Sequence, residues 1–195
     1  MGDACTLLIL AGGLSRRMGR DKANLLAGSN SLVEHLADRL SAGVDETLVS
    51  VGSSSPRASS SLRYVTDIYP GLGPLAGMHA GMLVAKNPLI WVVGCDLPDV
   101  EPALGALLIQ LAAGFDAVVP KPAGELEGVC AIYSRDLAPA IESLLQNGAR
   151  SIRALLDEIK VRYVGPDELY AVDPGLRSFR NLNTPADYES WLRSR

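Results

Sequence analysis

The residues best suited to chemistry lie between Leu8 and Lys22, in the order Leu-Ile-Leu-Ala-Gly-Gly-Leu-Ser-Arg-Arg-Met-Gly-Arg-Asp-Lys. An apolar run from Thr6 to Ala11 has the length and content of a buried strand, and it breaks at Gly12-Gly13. Two residues without a Cβ let the backbone bend sharply and bring N–H groups close to an anion. Ser15, Arg16, Arg17, Arg20 and Lys22 then place a hydroxyl and four cations within a few residues. This composition suits a polyphosphate. Neither the Walker spacing nor the three-glycine dinucleotide fingerprint is present. A surface turn with solvated arginines is the alternative. The strand before the glycines and the cations after them favour the phosphate reading.

The second chemical candidate is Asp96. It follows Leu-Ile-Trp-Val-Val-Gly-Cys at Leu89 to Cys95, the most apolar strand-like run in the chain. A carboxylate just beyond a buried central strand stands where open α/β sheets bind ligands. Its alternative is a cap on the helix that follows. His35 falls among the polar positions of a helical pattern and reads as an exposed surface histidine. His79 reads as a packed or capping side chain. Cys5, Cys95 and Cys130 are widely spaced, odd in number and set in apolar surroundings, so they read as reduced core thiols.

Positioning these residues requires an alternation of strands and helices. Helical patterns begin at Ser31, with Glu34 completing a capping box, at Pro74, at Pro102 and near Leu137. A short helix spans Ser151 to Glu158. A final helix opens at Thr184-Pro185 with Asp187 as the box partner and is anchored by Trp191 and Leu192. Strands are expected at Thr47–Val51, Leu62–Val65, Leu89–Cys95, Ala117–Pro120, Val129–Tyr133 and Val161–Val164. Ala76, Gly77, Ala80 and Gly81 give the Pro74 helix a small-residue face for close packing. The pattern predicts an α/β fold, a single doubly wound, mostly parallel sheet with helices on both faces, in one domain over residues 1–195.

Composition narrows the function. The net charge of -4 argues against a general nucleic-acid binder, so the cations near Arg17 stand out against an acidic background. No apolar run approaches the length of a membrane span, and the positive charges follow the first apolar run rather than precede it. The expectation is a cytoplasmic protein with no membrane and no nucleic-acid partner.

Leu10-Ala11-Gly12-Gly13-x-Ser15-x-Arg17-Met18-Gly19-x-Asp21-Lys22 resembles the signature of the molybdenum cofactor guanylyltransferase family of nucleotidyltransferases. Gly73-Pro74-Leu75-Ala76-Gly77, Cys95-Asp96-Leu97-Pro98 and Asn181-Leu182-Asn183-Thr184-Pro185 resemble its later motifs, so the likeness covers most of the chain. The related cytidylyltransferases usually carry Ala-Gly for Gly12-Gly13 and Phe for Met18, which favours GTP. The resemblance implies a Rossmann-like nucleotidyltransferase fold and transfer of GMP from Mg²⁺-GTP to the terminal phosphate of molybdopterin. It implies that Leu10, Ala11, Gly12, Gly13, Lys22, Asp67 and Asp96 bind the nucleotide, with Arg17, Lys22 and Asp96 catalytic. Asp96 would be the Mg²⁺ ligand, and Asn181 and Asn183 would hold the acceptor, although Asn and Thr before a helix are also common turn and cap residues. Other cofactor-biosynthesis or molybdoenzyme-maturation proteins are the implied partners.

Two departures stand out. Leu126-Glu127-Gly128-Val129-Cys130-Ala131 replaces the family's usual Pro-Leu-x-Ala, and Gly52 stands where relatives often have asparagine. Guanine selection is then expected from backbone groups of Ala11 to Gly13. The rival readings are a nucleotidyltransferase with another base or acceptor (CTP with molybdopterin, or a sugar or polyol phosphate) and a non-catalytic nucleotide-binding module.

Overall fold

In the structure, a computed structural model, residues 4–12, 26–27, 30–52 and 62–194 are described. The organising strand is β1 (Cys5–Leu10), buried at every position. Side chains alternate across a strand, so Leu7 and Ile9 enter one core while Leu8 and Leu10 enter another on the opposite face. Strand β6 (Leu89–Gly94) repeats this, with Trp91 and Val93 on the first face and Ile90 and Val92 on the second. A strand buried on both faces has no use for polar alternation, which accounts for the unbroken apolar runs.

The remaining sheet strands are β4 (Glu46–Ser50), β5 (Arg63–Val65), β7 (Ala117–Pro120), β8 (Cys130–Ser134) and β9 (Val161–Val164). They form one seven-stranded sheet in the order β5-β4-β1-β6-β8-β7-β9. Every pairing is parallel except those of β8, which runs antiparallel between β6 and β7. The predicted doubly wound, mostly parallel sheet is present. Periodicity alone did not reveal which strand runs backwards. A separate hairpin joins β2 (Leu26–Ala27) to β3 (Asn30–Ser31), too short for any sequence pattern to announce.

Helices cover both faces. On the first lie α1 (Leu32–Leu40) and α3 (Pro102–Gln110), with Leu36, Leu40, Leu104 and Leu108 in the core. On the second lie α2 (Pro74–Val84), α4 (Ala138–Gln146) and α5 (Ile152–Leu156). A one-and-a-half-turn α6 (Pro166–Tyr170) and the terminal α7 (Pro185–Arg193) complete the helices. Both expected capping boxes form. The Ser31 hydroxyl accepts from the Glu34 N–H at 3.2 Å while the Ser31 N–H donates to Glu34 Oε2 at 2.7 Å. Thr184 and Asp187 exchange the same pair of bonds at 3.2 and 2.8 Å.

Helix α2 sits unusually close to the sheet. A Cβ on Gly81 would lie 2.4 Å from Leu8 Cδ2, and one on Gly77 2.7 Å from Ser50 Oγ. Its start is fixed by Gly73, which has a φ of 74° and where a Cβ would lie 2.8 Å from the Arg150 carbonyl oxygen, so a side chain is excluded. The small-residue face is therefore a packing requirement. At the final helix, Trp191 is buried, with Tyr188 packed against the same cluster, but Leu192 is exposed, so of the two expected anchors only the tryptophan serves.

Candidate active site

The chain leaves β1 for β4 on one side and returns to β6 on the other. This reversal opens a crevice at the carboxyl ends of these strands. Hydrogen bonds carry the sheet slightly past its strands: the Ala11 N–H donates to the Ser50 carbonyl at 2.8 Å, and the Cys95 N–H to that of Leu10 at 3.0 Å. The loops after β1 and β4 are pressed together. A Cβ on Gly12 would stand 2.4 Å from the Gly52 nitrogen, and Gly52 has a φ of 63°. Two glycines are needed for that contact, which explains why the position after β4 lacks a side chain to offer a nucleobase.

Asp67 reaches this juncture from the loop after β5. Its N–H donates to the Gly52 carbonyl at 3.0 Å, and its Oδ1 accepts from the hydroxyl of fully buried Ser50 at 2.7 Å. Oδ2 lies on the Gly52 side, 3.9 Å from where that residue's Cβ would be. Burial holds the Asp67 carboxyl above its ordinary range, and the Ser50 hydrogen bond partly offsets this.

Asp96 stands half-buried one residue beyond Cys95 at the end of β6. Gly94 makes room for it, since a Cβ there would come 2.7 Å from Asp96 Oδ1. Glu127, in the loop before β8, is the neighbouring carboxylate. Burial first, and the charge of Asp96 second, hold the Glu127 carboxyl above its usual range. The donors here are all hard oxygens, the kind Mg²⁺ takes, and no group of three or more His, Cys, Asp or Glu side chains gathers around a point among the described residues. An ion there would draw its other ligands from phosphate oxygens and water.

From the opposite side, the Leu182 N–H donates to the Asp96 carbonyl at 2.8 Å. Asn181 and Asn183 flank that bond, and the Asn183 N–H donates to Asp187 Oδ2 at 3.0 Å. The fold thus gathers Leu10, Ala11, Gly12, Asp67, Asp96, Asn181 and Asn183 at the carboxyl-end side of the sheet. Gly13, Arg17 and Lys22 lie outside the described residues.

A family profile described as the MobA-like NTP transferase domain matches residues 7–162, from β1 into β9. The chain belongs to this family. MobA-like NTP transferases are nucleotidyltransferase enzymes, and the relatives agree with that class. A probable molybdenum cofactor guanylyltransferase of Pelotomaculum thermopropionicum is 34% identical over 93% of this chain and 89% of its own length. One from Mycobacterium avium is 34% identical over the whole of both chains. Molybdopterin-guanine dinucleotide biosynthesis protein A from Archaeoglobus fulgidus superposes with a TM-score of 0.84 at 26% identity, covering 97% of each chain.

Some side chains of this family member sit differently from the sequence expectation. His35 is not a free surface group: its Nε2 donates to the Pro98 carbonyl at 3.0 Å, and its ring meets Trp191 edge-on at 5.7 Å between centroids. The helical pattern was right about its face. It could not show that the Asp96 loop and α7 fold over that face. His79 is packed rather than capping, 1% exposed beside Tyr69, with both ring nitrogens unpartnered among the described residues. The three cysteines are buried thiols, and burial pushes Cys5 up to about 12, far from the thiolate that would ligate or attack. Sequence reasoning missed Ser50, Glu127 and the His35–Trp191 pair as neighbours of the site. Only Glu127 carried a signal, because it lies in the segment that departs from the family pattern.

Proposed function

We propose that this chain is a molybdenum cofactor guanylyltransferase, transferring GMP from GTP to the terminal phosphate of molybdopterin with release of pyrophosphate. The observation that carries the reading is Asp96 just beyond β6, next to Cys95, whose N–H bonds the end of β1 at Leu10, in a chain whose relatives bear that name over nearly their full length. The activity is assigned to residues 1–195 as one nucleotidyltransferase domain.

In this reading the backbone at Gly12 and Gly13 approaches the triphosphate closely because no Cβ intervenes. Leu10 and Ala11 border the base, and Asp67 accepts from the nucleoside with its carboxylate held by Ser50. Arg17 and Lys22 stabilise the charge that builds on the departing pyrophosphate. Asp96 would hold Mg²⁺, whose charge would offset that of the triphosphate. Asn181 and Asn183 hold molybdopterin so that its phosphate faces the α-phosphorus in line with the leaving group. That phosphate is already ionised, so no side chain needs to remove a proton. The reading carries with it a cytoplasmic location and delivery of the product to other cofactor-maturation proteins.

Titration calorimetry with GTP, CTP, ATP and UTP, with and without Mg²⁺, tests the nucleotide. Pyrophosphate release on adding molybdopterin tests the acceptor. GTP preference with molybdopterin-dependent release is expected. A preference for CTP would assign the sister activity, and no binding to any nucleotide would overturn the reading.

A further inference from the structure

The segment after Asp96 is held from several directions. The Trp191 indole N–H donates to Asp99 Oδ1 at 2.9 Å, a bond spanning 92 residues of sequence. His35 Nε2 donates to the Pro98 carbonyl at 3.0 Å. One turn further along α1, Arg39 Nε donates to the Val100 carbonyl at 2.7 Å and its Nη2 meets Glu101 Oε2 at 2.8 Å. The Glu101 N–H donates to the hydroxyl of buried Ser178 at 3.0 Å. His35 and Trp191 also pack on each other, and Tyr188 stacks beside Trp191, so the two elements form one body.

We propose that Trp191 and His35 are positioning residues for Asp96: α7 and α1 together clamp residues 97–100 and thereby fix the direction of the Asp96 carboxylate. This rests on the reading of Asp96 as the metal residue. The physical reason is leverage. A carboxylate beyond a strand end is set by the backbone of its own loop, and among the described residues the backbone of 95–98 is tied by Cys95 N–H to Leu10, Leu97 N–H to Gly94 and, at Asp96 itself, by the Leu182 N–H. Beyond these backbone bonds, residues 98–101 are held by the side chains of His35, Trp191, Arg39 and Ser178. An ion bound mainly by one protein carboxylate is sensitive to such outer support. Helix α7, which supplies Trp191, lies beyond the matched residues 7–162.

The test is the gain in GTP affinity that Mn²⁺ confers, measured by calorimetry on the full chain with and without EDTA. Asp99→Ala breaks the clamp without disturbing the buried tryptophan, and Trp191→Phe keeps a ring but loses the N–H. Each is expected to reduce the Mn²⁺-dependent gain about tenfold, with metal-free GTP affinity unchanged. Asp99→Asn retains an acceptor oxygen and is expected to restore the gain. The Trp191→Phe/Asp99→Ala double variant should be no worse than either single change. Lower thermal stability with an unaltered Mn²⁺-dependent gain would overturn the proposal and leave the bond a plain tether. Asp96→Asn separates the two levels. If it abolishes the gain while Asp99→Ala does not, only the positioning role fails. If it leaves the gain intact, the metal reading fails and the proposal with it.

Discussion

Asp67 shows how a single carboxylate can trade stability for binding. Burial raises its folded pKa above the ordinary 3.8, so the folded protein binds this proton more tightly than the unfolded chain. Its contribution to stability is therefore greatest below that value and declines as pH rises through the raised folded pKa. Asp67→Asn removes the charge and keeps an oxygen for Ser50. A small rise in Tm at pH 7 and none at pH 3 is expected by scanning calorimetry, together with a loss of GTP affinity of about tenfold or more, equivalent to ~1.4 kcal/mol. Wild-type GTP binding in this variant would remove Asp67 from the nucleotide site. In the sequence Asp67 was singled out only through the family resemblance, just ahead of the motif that begins at Gly73. Its partner Ser50 was not, because a serine ending a strand looks the same whether it faces water or a carboxylate.

At the scale of elements, the seating of α2 on β1 and β4 governs the geometry beneath the crevice. Gly81→Ala would set a methyl 2.4 Å from Leu8 Cδ2, forcing helix or side chain to shift. A destabilisation of about 1–3 kcal/mol is expected in urea unfolding, and a neutral result would mean that α2 can move outward freely. His79 on the same helix adds a pH dependence. Burial depresses its pKa below the ordinary 6.5, while Glu142 on α4 acts the other way. The stability it supports is full above that pH and is lost as pH falls towards the depressed value, because the unfolded chain takes up the proton first. Unfolding free energies between pH 7.5 and 5.5 should fall more steeply for the wild type than for His79→Leu. Equal slopes would show that His79 ionises at no cost. Sequence pattern foretold the close packing, since four small residues on one face have few other uses. It left the histidine's role open, because burial depends on α4 and Tyr69, brought in from elsewhere in the chain.

For the molecule as a whole, ligand and fold are linked. A nucleotide that binds only the folded chain stabilises it by ~2.7 kcal/mol at one hundred times its Kd, or about 5–10 °C in Tm for a chain of this size. Mg²⁺-GTP is expected to produce that shift and Mg²⁺-CTP a much smaller one, read by thermal unfolding. Equal shifts would place base selection outside the Gly12–Gly52 juncture.

The sequence by itself determined the alternating elements, both capping boxes, the two-faced central strands and the family, because each of these is written in local spacing. Hydrophobic periodicity reports which residues are buried, and capping chemistry reports where helices begin. Only the tertiary structure decided that β8 runs antiparallel between β6 and β7, that Gly52 must be bare to admit Gly12, and that Ser50 holds Asp67. It also decided that the final helix reaches back to the Asp96 loop through Trp191. These are contacts between residues far apart in the chain. Side-chain period constrains the face of an element, but neither its neighbour nor its direction.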